Sequence, residues 1–470
     1  MGSLGDFRRA AGRRARALGI AAGALVWLAG CSHPTASAPG AVTVSGSTQA
    51  ATASDPQSLA TVSDVMHRVE QNYMVPVTSD VLIDNALKGM LNRLDPHSNY
   101  LSAAEYQRFK SDMGGQFGGV GMQITSEAGV PKVLAPIDDT PASKAGIDPG
   151  DRIVRIDGKP TDGMSLNDVV STLRGPVGTS VTIGIERGDK APFDVSLTRA
   201  VIHVTTVKPK LLAGRIGYTR ITAFSETTQR ELVTALRALE REAGGKLAGF
   251  VLDLREDPGG ELEAAVAVVG DFIKGGTVVS TRNRAGKVRD YEVASDGEWL
   301  PANVPMLVLI DSASASAAEI VAGALQDHHR AQVMGTPSFG KGSVQTVMPV
   351  DGGGAMLLTT ELYFTPAGRS IQGTGIQPDI VVPLPADQQV PNPVVRESDL
   401  SNALKNAGVL TPPPSPPGAG APAATKAIRT VPASTLDRPI KPALLGTPED
   451  AQLKAALEHL KTTIAKGRTS

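Results

Sequence analysis

Apolar and polar residues alternate with a helical period in residues 62–94. Val62 to Tyr73 and Val81 to Leu94 have apolar side chains three and four residues apart, which is typical of amphipathic helices. Asp95-Pro96 ends the second helix, because proline cannot continue a helical hydrogen-bond ladder. We therefore predict a small helical cap over residues 59–113.

The next region, residues 114–200, has the pattern of short strands around one helix. Val181, Ile183 and Ile185 alternate with polar residues as in a half-buried strand. Ser165 to Leu173 places Leu166, Val169, Val170 and Leu173 on one helical face. These patterns predict a compact domain of mixed secondary structure.

Residues 201–395 contain two strand-turn-helix units. Gly249 to Leu254 and Met306 to Ile310 are continuous apolar runs, each followed by a tight turn and an amphipathic helix. Such units imply neighbouring parallel strands whose loops lie at one edge of the sheet. We expect the chemistry of the protein at that edge.

The two ends of the chain differ in composition from these regions. In residues 1–30, five arginines precede the apolar run Ala17 to Ala29, as in an export signal. Residues 31–58 are rich in Ala, Ser, Thr, Gly and Pro and read as a flexible tether. The C-terminal region, residues 396–470, has a Pro-rich segment at 411–432, predicted to be disordered, and a terminal helix at Asp450 to Thr462.

Charge and cysteine content exclude several classes of function. The 470 residues carry 46 basic and 47 acidic side chains, so no global field attracts a nucleic acid. A single cysteine excludes a disulfide framework and a zinc site built from cysteines. We expect no metal and no cofactor.

Ser316 is the strongest candidate for a nucleophile. It begins a predicted helix directly after a buried strand and a turn of small residues, so that its hydroxyl projects from the turn. No histidine is expected in the loops at this edge of the sheet. Lys341, between two glycines, could reach the edge and act as a general base. Gln345 lies on the following strand, and we assign it the role of orienting the lysine side chain.

The proposed site also needs backbone N–H groups that stabilise a negatively charged oxygen. Those of Ala317 and Gly259 would form a two-donor oxyanion hole. A rival serine exists, because Ser338 and Lys341 have the SxxK spacing of penicillin-binding proteins. That spacing requires a helix, and the neighbouring Pro337, Gly340 and Gly342 argue against one.

Two local motifs resemble known recognition signals. Leu28-Ala29-Gly30-Cys31 is similar to a bacterial lipobox, which implies diacylglycerol on Cys31 and a periplasmic, lipid-anchored protein, with the outer membrane favoured. The segment Gly118 to Met122, with Thr140-Pro141-Ala142 and Gly150-Asp151-Arg152-Ile153, resembles a PDZ domain. Gly119, Val120, Gly121 and Met122 would then bind the C-terminus of a protein or peptide by strand addition.

The longest match resembles the bacterial carboxyl-terminal processing proteases. It comprises Ser312 to Ile320, Ala322 to Asp327, Ser338 to Gln345, Leu94 to Ser98, Leu252 to Arg255 with Pro258 to Gly260, and Gly373 to Asp379. The resemblance implies an α/β, crotonase-like or ClpP-like core with an inserted PDZ domain. It also implies Ser316 as nucleophile, Lys341 as base, Gln345 as the support of the lysine, and Ala317 and Gly259 as oxyanion donors.

The function implied is a serine endopeptidase that cleaves exported proteins near C-termini selected by the PDZ domain. The alternative is a catalytically silent PDZ scaffold on a lipid anchor. An adaptor lipoprotein or a second copy of the chain is a further candidate partner. His97 lies within the match, but a helix-end hydrogen bond explains it as well as any function.

Overall fold

The computed structural model describes residues 56–127, 129–137, 139–188, 190–203, 205–294, 299–390, 394–405 and 438–467. The predicted export signal, the tether, Cys31 and the Pro-rich segment lie outside these residues. The chain divides after His67, and the contacts discussed below lie within the part that begins at Arg68. Among the described residues, no helix combines the length and the apolar character needed to cross a membrane.

The cap contains the predicted helices and one short strand. Its elements are α1 (Pro56–Asn72), α2 (Ser79–Asn92), β1 (Asn99–Leu101) and α3 (Ala103–Met113). The apolar periodicity located α1 and α2, and on α2 Leu91 is buried whereas Val81 and Met90 are exposed. The turn after α2, Leu94 to Ser98, leads into β1 and is here named the cap turn.

The inserted domain, residues 116–203, is a sheet with two helices. Its elements are β2 (Gln116–Gly119), β3 (Met122–Glu127), β4 (Val130–Pro136), α4 (Pro141–Lys144), β5 (Arg152–Ile156), β6 (Lys159–Pro160), α5 (Leu166–Leu173), β7 (Ser180–Glu186), β8 (Phe193–Thr198) and β9 (Ala200–His203). The main sheet has the order β3-β4-β5-β7-β8, with β3 at its edge. The entering strand β2 pairs antiparallel with the leaving strand β9, so both ends of the insertion are held together.

The core is built on a six-stranded sheet with the order β10-β11-β12-β15-β16-β19. The elements of the core are β10 (Val207–Leu212), β11 (Ile216–Ile221), α6 (Thr228–Glu242), β12 (Gly249–Asp253), α7 (Leu262–Gly270), β13 (Thr277–Asn283), β14 (Val288–Glu292), β15 (Met306–Ile310), α8 (Ala317–Asp327), β16 (Gln332–Gly335), β17 (Ser343–Pro349), β18 (Ala355–Phe364), β19 (Ile380–Val381) and α9 (Ala451–Gly467). Strands β11, β12, β15, β16 and β19 are parallel, as the repeated strand-turn-helix units predicted.

Helices cover both faces of this sheet, which explains why its central strands are continuously apolar. On β12, Phe250 and Leu252 pack with side chains of α6, α7 and α8, whereas Val251 packs against Leu453 and Leu460 of α9. The alternation follows the two-residue period of a strand. The predicted α/β fold class with an inserted domain and a helical cap is confirmed.

A second, antiparallel sheet has the order β1-β18-β13-β14, and β17 also pairs with β18. Residues Asn99 to Leu101 of the cap pair with Ala355 to Leu357 of β18. The cap is therefore joined through its strand to the sheet that carries Ser343 and Gln345.

A fully buried ion-pair network holds α9 on the core. The guanidinium of Arg255 lies 2.6 Å from carboxylate oxygens of both Asp253 and Asp450 and donates to the Gln452 amide oxygen at 2.9 Å. The Tyr218 hydroxyl donates to Asp253 at 2.8 Å. Because α9 begins directly after Asp450, the helix that follows the Pro-rich segment is fixed at the end of β12.

Candidate active site

The two turns predicted to carry the chemistry lie side by side. β12 and β15 are parallel neighbours, and they end at Asp253 and Ile310. The Ser314 hydroxyl donates to the carbonyl of Leu254 at 2.8 Å, and the Ala315 N–H donates to the carbonyl of Asp257 at 2.9 Å. These bonds tie the turn after β15 to the turn after β12.

Ser316 is held in a backbone conformation that L-residues rarely adopt. Its φ is +53° and its ψ is −115°, at the position directly before α8. Such a conformation costs about 1–3 kcal/mol and persists only where surrounding bonds impose it. The residue is half-buried, so the sharp turn leaves its side chain partly accessible, as expected for a nucleophile.

One buried carboxylate, that of Glu319, links Ser316 to the loop that contains Lys341. Its Oε2 accepts the N–H of Ser316 at 2.8 Å and the N–H of Lys341 at 2.9 Å. Its Oε1 accepts the Ser338 hydroxyl at 2.5 Å and the Gly340 N–H at 2.7 Å. The residue before the helix and the lysine loop are thus bound to the same side chain.

The environment of Lys341 favours a neutral amine through burial and opposes it through charge. Burial lowers the pKa of Lys341 below its ordinary value, while the carboxylates of Glu397, Glu319 and Asp95 act to raise it. The net direction is downward, which is the direction that a lysine base requires.

Tyr363 connects the same two loops from the second sheet. Its hydroxyl donates a short hydrogen bond to the carbonyl of Lys341. Burial raises the pKa of Tyr363 well above its ordinary value, and a hydrogen bond with Ser316 opposes that shift. The phenol is therefore neutral and lies against both predicted catalytic residues.

Gln345 lies on β17 just beyond the loop, after a bulge between Val344 and Gln345. Its amide nitrogen donates to the hydroxyls of Ser343 at 3.0 Å and Thr359 at 3.1 Å. The contact places the side chains of Gln345 and Ser343 together. Its support of the lysine stays a prediction.

The predicted oxyanion donors are adjacent, but one of them is engaged. A Cβ placed on Gly259 would lie 2.7 Å from the Ala317 nitrogen and 2.8 Å from Ser316 Cβ, so the two turns touch here. The N–H of Ala317 is in the first helical turn, where it has no acceptor within the helix. The N–H of Gly259, however, donates to Asp257 Oδ1 at 2.8 Å. Gly259 therefore cannot serve an oxyanion in this state.

The rival serine, Ser338, has a structural role. It is completely buried, donates its hydroxyl to Glu319, and accepts the N–H of Ile376 at 2.7 Å. Residues 338–341 form no helix, so the SxxK spacing does not place Ser338 and Lys341 on one face. The prediction that Ser338 is not the nucleophile agrees with these contacts.

The predicted peptide-binding residues lie at the edge of the inserted domain. Gly119 ends β2, Val120 and Gly121 form the connection, and Met122 begins the edge strand β3. Gly121 has a φ of +76°, and Thr140 donates its hydroxyl to the carbonyl of Gly121 at 2.9 Å. The loop is thereby braced by the Thr-Pro-Ala segment that the sequence singled out.

Sequence reasoning missed Glu319, Tyr363 and Asp257 as members of this site. Glu319 had a usable signal, since it is the third residue of the helix after Ser316, where a glutamate folds back onto the residue before the helix. Asp257 also had a local signal, since an aspartate side chain often accepts the N–H two residues later. Tyr363 gave none, because only the fold brings it to Ser316.

Comparison with known proteins identifies two families along the chain. Residues 215–382 match the model of peptidase family S41, and residues 132–187 match that of the PDZ domain. A carboxy-terminal-processing protease of Bartonella bacilliformis is 46% identical over 352 residues, which cover 74% of this chain and 80% of that protein. The carboxy-terminal processing protease CtpA of Bacillus subtilis is 35% identical over 326 residues, 69% of each chain. The solved photosystem II D1 C-terminal processing protease is 27% identical, with a TM-score of 0.41, and the match covers 68% of this chain and 92% of that one.

The fold and these matches define the protein as a serine-type peptidase with a PDZ domain. The chain belongs to the carboxy-terminal processing proteases of peptidase family S41.

Gly259→Ala tests the close approach of the two turns. The new Cβ would lie 2.7 Å from the Ala315 carbonyl oxygen and the Ala317 nitrogen, at a φ of +94°. We expect kcat/KM for peptide cleavage to fall by about 10²–10³, because the turn must move away from Ser316 and the oxyanion donors with it.

Gly286→Ala is the matched control for that variant. Gly286 has a φ of +78° but no heavy atom within 4 Å of the added Cβ, so the substitution brings only the backbone cost of about 1–2 kcal/mol. Both variants are compared with the parent in kcat/KM and in the free energy of unfolding. Equal activity of the Gly259 and Gly286 variants would contradict the contact.

Proposed function

We propose that this peptidase cleaves exported polypeptides near their C-termini, with Ser316 as nucleophile, Lys341 as general base and the inserted domain as the element that selects the substrate tail. The observation that carries the proposal is the shared carboxylate oxygen of Glu319, which accepts the main-chain N–H of both Ser316 and Lys341. Two residues bound to one buried atom have side chains that start within reach of each other.

The reaction then proceeds through a serine ester. The neutral Lys341 amine removes the proton of the Ser316 hydroxyl while Oγ bonds to the carbon of the scissile carbonyl. The C–N bond breaks as the lysine ammonium protonates the departing amine. Water, deprotonated by the same amine, attacks the ester carbonyl; the bond to Ser316 Oγ breaks and the acid is released as the Lys341 ammonium protonates Oγ, which restores the serine hydroxyl and the neutral amine.

The negative charge of the tetrahedral intermediate requires donors beside Ser316. The N–H of Ala317 is suited to that role, since it lies at the start of α8, where the helix dipole also favours negative charge. Gly259 can join it only after its N–H leaves Asp257. Burial raises the pKa of Asp257 well above its ordinary value, and a neutral carboxyl holds an N–H less strongly than a carboxylate. Substrate binding that moves this turn would complete the oxyanion hole.

Gln345 would hold the lysine amine through its amide oxygen. Its amide nitrogen already donates to Ser343 and Thr359, so the oxygen is the end of the amide that can accept from Lys341. The contact would orient the amine without adding a negative charge to its surroundings.

The inserted domain would bind the substrate tail by strand addition. Strand β3 is at the edge of its sheet, and Met122 and Ile124 pack toward the same cluster as Val169 and Leu173 of α5. An extended peptide can pair with such an edge, and a glycine-containing loop at its start can bind the terminal carboxylate.

A catalytically silent scaffold is the less favoured alternative. It would retain the inserted domain, but it gives no reason for a half-buried serine in a strained turn beside a lysine whose pKa is lowered by burial. Both features have a cost in stability that binding alone does not explain.

Removal of either catalytic group should abolish cleavage. We expect Ser316→Ala and Lys341→Met each to lower kcat for a peptide substrate by about 10⁴-fold or more, with the folded state retained by circular dichroism. Lys208→Ala, at an exposed lysine on β10, is the control and should retain full activity. Turnover by the Ser316 variant at the parental rate would refute the assignment.

The substrate tail is tested with two peptides that differ only in a free or an amidated C-terminus. The amide removes the charge that the loop would bind, and hydrogen bonds to a charged group contribute about 1.5–3 kcal/mol. We expect kcat/KM to fall roughly tenfold to hundredfold for the amide. Acetylation of the N-terminus is the control and should change little. Equal cleavage of acid and amide would exclude carboxylate capture.

Export and lipid attachment at Cys31 belong to the same proposal and rest on the sequence pattern, since this segment lies outside the described residues. In cells, we expect the mature chain to begin at a lipid-modified Cys31 and to fractionate with membranes. Mass analysis of the N-terminal peptide measures the modification, and Cys31→Ser should abolish both the lipid and the cut before residue 31. A mature parent chain whose N-terminal residue is an unmodified Cys31, or that begins elsewhere, would contradict the anchor.

A further inference from the structure

The cap turn, Leu94 to Ser98, is fixed to the second sheet by one carboxylate. Asp95 Oδ1 accepts the N–H of His97 at 2.9 Å, the N–H of Ser98 at 2.8 Å and the hydroxyl of Thr359 at 3.0 Å. Burial acts to raise the pKa of Asp95, but these hydrogen bonds hold it below its ordinary value. Because Thr359 also accepts from Gln345, the turn is part of the surroundings of the catalytic loop.

The side chain of His97 points from this turn to a second buried carboxylate. His97 Nε2 lies 2.7 Å from Glu397 Oε2, and the side chain of Glu397 is 1% exposed. Glu397 begins a short 3₁₀ turn, Glu397–Asp399, and its N–H donates to the carbonyl of Phe339 at 3.2 Å. The cap and the segment after the core therefore meet beside the loop that carries Lys341.

A chain of hydrogen bonds connects this pair to the residue after the lysine. Glu397 Oε1 accepts from the Gln372 amide nitrogen at 2.8 Å. The Gln372 amide oxygen in turn accepts the N–H of Gly342 at 2.8 Å. The carboxylate of Glu397 is thus held in place relative to Lys341 by two fixed amide contacts.

Three carboxylates face Lys341, and they differ in the groups that contact and offset their negative charge. Glu319 and Asp95 accept hydrogen bonds from main-chain N–H groups and hydroxyls, which carry no net charge. Glu397 has the largest charge effect of the three on Lys341, and it is the one paired with an ionisable base. Glu397 also faces the phenol of Tyr363, which is neutral.

We propose that His97 is a positioning residue for the reaction: its ring, 2.7 Å from the buried Glu397 carboxylate beside the lysine loop, offsets the negative charge of that carboxylate and so keeps the Lys341 amine available as a base. The inference rests on the proposed function, because it assumes Lys341 as the general base. An imidazolium-carboxylate pair has no net charge, whereas Glu397 beside a neutral side chain keeps its full negative charge.

Opposite changes at the two partners should shift the acid limb of the pH profile of kcat/KM in opposite directions. His97→Gln keeps a hydrogen-bond donor for Glu397 but removes the positive charge. The pKa of Lys341 should then rise, and the acid limb should move to higher pH by about one unit, so that kcat/KM falls about tenfold on that limb. Glu397→Gln removes the negative charge while keeping the shape, and the limb should move to lower pH.

The double variant and a matched histidine complete the experiment. His97→Gln/Glu397→Gln has no charge at either position, as the wild-type ion pair has no net charge, and its limb should return toward that of the wild-type enzyme. His459→Gln is the control, since His459 Nε2 lies 2.8 Å from the neutral amide oxygen of Gln332 on the surface. The His459→Gln variant should leave the acid limb of the pH profile unmoved. Thermal unfolding of each variant reports whether it is folded.

The outcomes separate the two proposals. Shifts of the His97 and Glu397 variants in the same direction, or a loss of kcat with an unmoved limb, would show a structural role and overturn the inference. If His97→Gln does not fold, the direction of the shift in Glu397→Gln alone decides. Full activity of Lys341→Met would instead refute the proposed function, whatever the His97 variants do.

Discussion

The hydrogen-bonded carboxylate of Glu319 is the constraint on which the site depends. It is completely buried and accepts four donors, two from the lysine loop, one from Ser338 and one from Ser316. An ionised carboxylate without partners costs several kcal/mol in a protein interior. The two loops therefore cannot separate without exposing or stranding this charge, and the strained turn at Ser316 is maintained by the same bonds.

The protonation state of Glu319 affects both the stability of the folded state and the hydrogen bonds that join Ser316 to Lys341. Burial raises the pKa of Glu319 to about 7, although its four donors oppose the shift. A carboxyl whose pKa is raised in the folded state stabilises that state below its unfolded pKa, and the contribution, roughly 3 kcal/mol, is lost as the pH rises toward 7. Only the charged form accepts all four donors, however, since a protonated oxygen would face an N–H or O–H. The arrangement that joins Ser316 to Lys341 is thus formed at the expense of stability near neutral pH.

Most of the fold and part of the site could be predicted from the sequence, for reasons that individual elements make clear. β15 and α8 were located almost to the residue, because a strand buried on both faces and a helix after small residues have strong local patterns. The cap helices were located but their burial could not be predicted, since periodicity identifies an apolar face such as that of Met90 but not what covers it. Ser316 and Lys341 were singled out through their turns and through the family resemblance, and their catalytic roles stay predictions. The engagement of Gly259 by Asp257 is a contact between residues two apart, which the local Asp-Pro-Gly sequence could have indicated. The pairing of His97 with Glu397 depends on where separate segments meet, and no local pattern encodes that.

The cap turn is one place where segments distant in sequence bring both a carboxylate and a basic side chain to the surroundings of Lys341. It brings a fixed negative charge, Asp95, toward Lys341, and it also brings His97 to Glu397. A core without this turn would lose the bond from Asp95 to Thr359, and with it one restraint on the neighbour of Gln345. It would also leave Glu397 without its basic partner. The same five residues therefore contact Thr359, a neighbour of Gln345, and Glu397, a carboxylate beside the lysine loop, so the Leu-Asp-Pro-His-Ser sequence contacts a site more than 200 residues away along the chain.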